Sequence, residues 1–588
     1  MNQSLIAYSL SADKLVPNLT FSPATQKNLD FLALQPKVKG AVNQFLHNQE
    51  RRLLILKTDD VRDVTPYLEQ YIEQHLPVNS AENQFTYQIH QGKEHPFPRV
   101  DLVPVSQNNP AFVAPKNVAS ALFFDQNELF GAVSTQGNQI QLRAGLLHQL
   151  QQGVLILSLD ALLQDFSLWA KLKQALFTQK AQWYSADPFK TLPCAIPVFP
   201  LNIKVILIGD RKSLALLSEE EENIYDFADY AEFERELALH NDKAVQQWAA
   251  FIQALVAEKQ LEIDSDGLNR LYQILVRETE DRFRISLSPL KLTNTLVQSA
   301  IFSHTHKLTG EALQAYFKQR IYQQNNLQEQ TIEAIIQDQI YVATEGSVVG
   351  QINGLSVIEY VGVPFSFGEP IRISCLVQFG EGEIVDVERK NELAGNLHSK
   401  GLMIAQACLS NILNLPAQLP FAATVVFEQS YGEIDGDSAS LACLLSLVSA
   451  LADEPIPQNI AVTGSIDQFG IVHTVGGVND KVEGFFTLCK QRGLTGKQGV
   501  IIPKNTLNQL SLMPEVVQAV KEKQFHLWIV EDVNQASEIM FGQPLFSNQE
   551  TAELSLVQRI NQRLEHFAEP SAKPSFWARL FHRNNDEE

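Results

Sequence analysis

The sequence predicts a multidomain protein that passes from an α/β layer, through a helical stretch, to a strand-rich α+β region. Three observations predict it. At 588 residues the chain exceeds what one hydrophobic core can serve. Before residue 240, runs of apolar and β-branched residues alternate with helical periods, the pattern of a parallel sheet covered by helices. After a break near Asp338–Glu345, glycine turns punctuate alternating apolar residues, the pattern of an antiparallel meander.

Taken in order, residues 1–30 carry no strong periodicity. From Val38 to Gln74 the spacing predicts a helix, the strand RRLLILKT and a second helix. The Asn-, Gln- and Pro-rich stretch 79–118 reads as irregular. GVLILSLDALLQDFSLWAKLKQAL (153–176) and NIKVILIGDRKSLALLSEEEEN (202–223) each read as a buried strand feeding a helix, the second through a turn at Gly209-Asp210. Ser218 reads as the N-cap of a helix opened by the acidic run Glu219–Glu222. Residues 243–335 read as helical throughout. Helices and short strands follow the meander to about Phe541, and 546–588 reads as a polar helix, a Pro/Ala/Ser linker (568–575) and the segment FWARLF. The domain boundaries expected from this pass are 1–30, 31–240, 241–338, 339–545 and 546–588.

Hydrophobic residues make up 45% and charged residues 19%, an ordinary globular balance. The net charge of −21 weighs against nucleic acid as the main partner, because such a surface repels a polyanion. Cys194, Cys375, Cys408, Cys443 and Cys489 form no CxxC pair and suit free thiols of a reducing compartment, not a zinc or disulfide framework. The N-terminal MNQSLIAYSLSADKL has no basic segment followed by a long apolar one, so no signal peptide is expected. No apolar run reaches the ~18–20 residues of a membrane span. A cytoplasmic protein without a membrane partner is expected.

The strands near 154–160 and 204–210 resemble core strands of an AAA+ module, with Asp160 where a Walker B acid would sit. A phosphate loop of the form GxxxxGK[ST] is absent: Gly92-Lys93 and Gly496-Lys497 are the only Gly-Lys pairs, and neither precedes Ser or Thr. RRLLILKTDDVRDV, which should lead into such a loop, runs into two aspartates that would repel phosphates. No ATP hydrolysis, no required cofactor, no ATP/Mg dependence and no metal site are expected. Arg282 and Arg284 read either as transducing arginines or as surface arginines on a helix.

EIDGDSASLA (433–442) sets an acidic, glycine-containing turn before Ser438 and an apolar run. Ser438 reads either as a helix N-cap or as a nucleophile at the end of a helix whose free N–H groups would receive an oxyanion. Two bases compete. His473 reads as a core or edge strand residue. Lys481 follows the Gly476-Gly477 turn among Val478, Val482, Phe485 and Phe486, where burial would lower its pKa toward a base's range. The residues alone do not choose between these readings.

Four stretches resemble the Lon-type serine peptidases of the B-type branch: GEIVDVERKNELAGNLHSKGLMI (382–404), FEQSYGEIDGDSASLACLLSLVSALA (427–452), IAVTGSIDQFGIVHTVGGVNDKVEGFF (460–486) and KQGVIIPKNT (497–506). Weaker similarity runs through 120–220. The resemblance implies a degenerate AAA+-like α/β domain, a helical domain and an α+β, ribosomal-protein-S5-domain-2-like proteolytic domain. It implies Ser438 as nucleophile, Lys481 as base, and Thr463 as a hydroxyl that hydrogen-bonds the lysine. Gly436 and Asp437 would form the oxyanion region, with Asp435 and Glu433 as acids near the site. It further implies unfolded protein or peptide substrates and a homo-oligomer, a hexamer in the family. The function expected is ATP-independent endopeptidase activity. The alternatives are an ATP-dependent Lon with an unorthodox nucleotide site and a protein-docking scaffold with a latent peptidase site.

Overall fold

Strands apolar on both faces need a covering layer on each side. In the computed structural model, β1 (Leu53–Lys57) and α1 (Val61–His75) begin such a layer. They lie in the first of two units, Thr20–Leu268 with Ser286–Ala312. The second unit holds Met1–Leu19, Asn269–Ile285 and Leu313–Glu588. The residues described are 6–21, 30–76, 84–92, 95–137, 139–150, 152–187, 189–303, 305–430, 435–546 and 554–568. Glu433, the 569–575 part of the linker and FWARLF lie outside them.

The first unit continues through β2 (Phe85–Gly92) and β3 (His95–Pro104), an antiparallel hairpin. This corrects the irregular reading of 79–118: the strand-forming alternation in FTYQIHQG is masked in sequence by the surrounding polar residues and prolines. β4 (Val118–Ala121), β5 (Gln152–Ser158), α2 (Leu159–Leu163), β6 (Asn202–Gly209), α3 (Arg211–Glu220) and β7 (Ala228–Glu232) follow. The sheet is five-stranded, ordered β7-β1-β6-β5-β4, and parallel throughout.

Two acidic assignments change. Asp160 sits past the strand, in the first turn of α2, where the Ser213 hydroxyl donates to its carboxylate. Glu219–Glu222 do not open a helix. The Asp210 carboxylate accepts from Ser213 N at 2.8 Å and caps α3 earlier, so the acidic run falls at that helix's C-terminal end. The stretch 243–335 is mostly helical but includes the short parallel pair Glu262–Ile263 and Lys307–Leu308, and it is divided between the two units.

The second unit takes in most of α4 (Ser265–Thr279) and then a seven-stranded mixed sheet. Its elements are β8 (Gln351–Ile358), β9 (Phe367–Gly382), β10 (Ile384–Asp386), α5 (Val387–Lys390), α6 (Asn396–Leu413), β11 (Leu419–Phe427), α7 (Ser440–Ala452), β12 (Ile460–Val462), α8 (Val478–Arg492), β13 (Gly499–Pro503) and β14 (His526–Val530). The sheet order is β10-β11-β9-β8-β12-β13-β14. β8, β9 and β11 pair antiparallel as the meander reading expects; β10 pairs parallel with β11. β11 alternates buried and half-buried positions along its length, whereas α7 is buried on nearly every face.

Described segments from the N- and C-terminal parts of the sequence, around Tyr8–Leu10 and Leu556–Ala568, pack into this unit. Leu10 N donates to Leu527 O (2.9 Å) and Ile529 N to Tyr8 O (3.0 Å), covering the free edge of β14. The helix Leu556–Ala568 places Leu556, Ile560 and Leu564 in the core.

α8 lies backbone to backbone on β9. A Cβ on Gly484 would meet Gly368 O at 2.1 Å, and one on Gly368 would meet Asp480 O at 1.9 Å. Only glycine at both positions allows this approach, which sets the depth of the first turns of α8. Gly484→Ala is therefore expected to destabilise the protein by ~1–3 kcal/mol through overpacking, measured as a lower Tm in thermal unfolding. Gly40→Ala, in a helix with open space around the added carbon, is expected to leave Tm unchanged or slightly raised.

Candidate active site

Ser438 and Lys481 approach from different elements. Ser438 precedes α7, whose N-cap, Ala439, makes no side-chain capping hydrogen bond. Gly436 has φ +111°, a conformation open to glycine, and lets the chain turn from Asp435 into the serine. Gly464 N donates to Ser438 O (2.8 Å), and Ile466 N donates to Ser440 Oγ (3.0 Å), tying both sides of the turn to one neighbouring segment.

Lys481 lies in the first turn of α8, after Gly477 in the left-handed conformation. Its side chain is 4% exposed, and Nζ donates to Ser438 Oγ at 2.9 Å. Burial pulls the amine's pKa down from 10.5 to about 8, against smaller opposing effects of the Glu280 and Asp437 carboxylates. The two residues open onto a cleft of about 840 Å³ lined also by Leu355–Tyr360, Phe365 and Glu369–Arg372.

The other sequence-selected residues divide. Asp437 Oδ2 accepts from Ser465 Oγ (3.0 Å), which turns this carboxylate aside from the serine. Asp435 Oδ1 accepts from Leu397 N (2.9 Å) and His398 N (3.2 Å), so it caps α6 while lining the cleft. Thr463 is fully buried, and its hydroxyl donates to Ser438 O at 3.5 Å. The hydroxyl of Thr463, which directly follows β12, thus meets the serine's backbone carbonyl, where the expectation was the lysine amine. His473 is exposed and paired with Asp467 (3.2 Å), an edge residue. Arg282 is not on a helix: its N–H donates to Asn508 O (2.8 Å) and its guanidinium to Leu507 O. Arg284 is exposed in a short strand.

Sequence reasoning missed two contributors. Glu280 accepts from Gly477 N at 2.5 Å, fixing the turn that presents Lys481. Arg277 of α4 pairs with Glu483 (2.6 Å) and Asp480 (3.2 Å), the acids on either side of the lysine. Even so, burial raises the Asp480 carboxyl to about 6. Neither Glu280 nor Arg277 carries a local motif, and both are distant in sequence.

The lowered amine pKa makes a stability statement. Between about 8 and 10.5 the unfolded chain binds the lysine proton and the folded site does not, so stability rises with pH across that window; below it the penalty is full. Lys481→Met is expected to raise stability at pH 7 by on the order of 3 kcal/mol, the gain closing as pH passes 10.5. Denaturant unfolding of both proteins across that range measures it. A gain independent of pH would contradict the assignment.

Residues 117–234 match the family model of the LonB-like AAA domain, and residues 430–542 that of the Lon protease C-terminal proteolytic domain. A Haemophilus influenzae protein named as a Lon protease homologue is 50% identical over 581 residues, covering 98% of this chain and 96% of its own. An Escherichia coli K12 protein named likewise is 38% identical over 547 residues, 93% of this chain and 92% of its own. An archaeal Lon protease of Methanocaldococcus jannaschii is 36% identical over 145 residues, 23% of this chain and 21% of its own. With a near full-length relative at this identity, a LonB-like AAA domain without its phosphate loop, and a proteolytic domain at its C-terminal side, the chain belongs to the Lon protease family.

Proposed function

We propose that this protein is a serine endopeptidase that cleaves unfolded proteins or peptides through a Ser438–Lys481 dyad, without hydrolysing ATP. The observation that carries the reading is the 2.9 Å contact between Lys481 Nζ and Ser438 Oγ at the floor of the cleft. With the amine neutral, the contact reverses. Ser438 donates its proton to Nζ, and Oγ attacks the peptide carbonyl. The oxyanion is received by backbone N–H groups of the Gly436–Ser438 turn at the start of α7. The lysine returns the proton to the leaving amine and then activates the water that releases the acyl group. β12 pairs with β8 at Asn353 and Gly354, short of Leu355–Ile358, and this cleft-lining edge suits an extended substrate added as a strand.

The residues at the carboxyl end of the parallel sheet do not fit a nucleotide. α1 begins where a phosphate loop would end, yet its N-terminus is taken by the Asp60 carboxylate, which accepts from Arg62 N at 3.0 Å. Asp59 is ion-paired with Arg235, and Asp210 caps α3. Carboxylates at these helix starts disfavour a bound phosphate, and no step is assigned to ATP. Homo-oligomerisation belongs to the same reading and is measured by light scattering of the purified protein.

Casein or fluorogenic-peptide cleavage by wild type, Ser438→Ala and Lys481→Ala, each with and without ATP and magnesium, tests the proposal. Loss of cleavage by at least 10³-fold in both variants, no ATP effect, and a rate that climbs as pH rises through about 8 are expected. Cleavage retained in Ser438→Ala, or strictly dependent on ATP, would overturn it. Silence of all three proteins would favour the docking scaffold.

A further inference from the structure

Apart from the dyad, the second unit holds a buried cluster that the proposed chemistry does not use. Asp386 ends β10, Glu388 lies in α5, and His398 stands in the first turn of α6. They are 9%, 4% and 3% exposed, so each is at least nine-tenths buried. Each carboxylate spends one oxygen on a backbone donor: Asp386 Oδ1 accepts from Arg389 N (3.2 Å) and Glu388 Oε1 from Phe427 N (2.9 Å). Asp386 Oδ2, Glu388 Oε2 and His398 Nε2 have no hydrogen-bond partner among the described residues. One ligand atom from each of the three residues lies within 4.8 Å of the others, and His398 Nε2 stands 3.5 Å from Asp386 Oδ2.

We propose that Asp386, Glu388 and His398 bind a divalent first-row transition-metal ion that braces the turn carrying Ser438. Bonds of about 2.0–2.2 Å to N and O donors put three ligands of one ion about 3.3–3.8 Å apart, the spacing that His398 Nε2 and Asp386 Oδ2 already have, so a shift of at most about 1 Å closes the set. Two carboxylates and a neutral imidazole carry the charge a dication cancels, and desolvated carboxylates left uncompensated are costly. The imidazole favours zinc or manganese over calcium and magnesium, which take oxygen ligands. The Arg389 and Phe427 N–H groups orient the carboxylates as outer ligands do.

The site connects to the serine through α6. Asp435 accepts from the N–H of His398 itself, and a Cβ on Gly401 would lie 3.0 Å from Asp437 Cα. The first turns of α6 thus hold the residues leading into Ser438. The ion acts as a positioning element, and this role rests on the dyad reading; binding itself does not.

Full-length protein is stripped with chelator and titrated separately with Zn²⁺, Mn²⁺, Ca²⁺ and Mg²⁺, by calorimetry and by thermal unfolding. One Zn²⁺ or Mn²⁺ per chain, a raised Tm, and at least 10-fold weaker binding in Glu388→Gln and His398→Gln are expected. Glu388→Gln keeps an oxygen for Phe427 N, so it carries the test where His398→Gln does not fold. No binding by wild type, equal binding by the variants, or preference for Ca²⁺ or Mg²⁺ would overturn the site. Metal binding that fits, alongside an inactive dyad, would leave the site standing and sink the peptidase reading.

Discussion

The depth at which Lys481 is held decides what this site can do. An ammonium in water has no use as a base; an amine drawn under a helix beside a hydroxyl does. That depth follows from two glycines. Gly368 and Gly484 let α8 lie on β9 with no side chain between them, which carries the first turn of α8 down to the serine. Arg277 completes the arrangement. By pairing with Asp480 and Glu483 it occupies the carboxylates flanking Lys481, which would otherwise favour the charged amine. Glu280 and Asp437 still pull the other way, so the amine settles near 8 and not lower.

The serine is held from the opposite side by backbone. Its carbonyl accepts from Gly464 N and the Thr463 hydroxyl, its helix is sunk in the core, and the preceding acids are engaged with α6 and with Ser465. Under the proposed function, a serine fixed in this way needs little reorganisation on attack, the condition under which positioning contributes most. In the parallel-sheet unit the aspartates serve a different end, capping helices. No helix among the described residues is long and apolar enough to cross a membrane.

Much of this was legible in the sequence because it is local. The apolar runs of β1, β5 and β6 declare themselves, and the turn before Ser438 and the Gly-Gly turn before Lys481 are short motifs with a mechanical reason. What stayed hidden depends on tertiary approach. Glu280 and Arg277 reach the site from α4. Thr463, at the end of β12, meets the serine's carbonyl across 25 residues of sequence. Asp386, Glu388 and His398 look unrelated until β10, α5 and α6 converge. The β2–β3 hairpin was lost to composition, and Ser218 to an earlier and stronger cap at Asp210.

The most direct test of the account is the titration of Lys481 Nζ itself, followed by NMR in protein labelled at lysine Cε and assigned with Lys481→Arg. The account predicts a single transition near 8, well below the other lysines. A transition above 10 would mean that the amine is charged at neutral pH, and the dyad could not work as described.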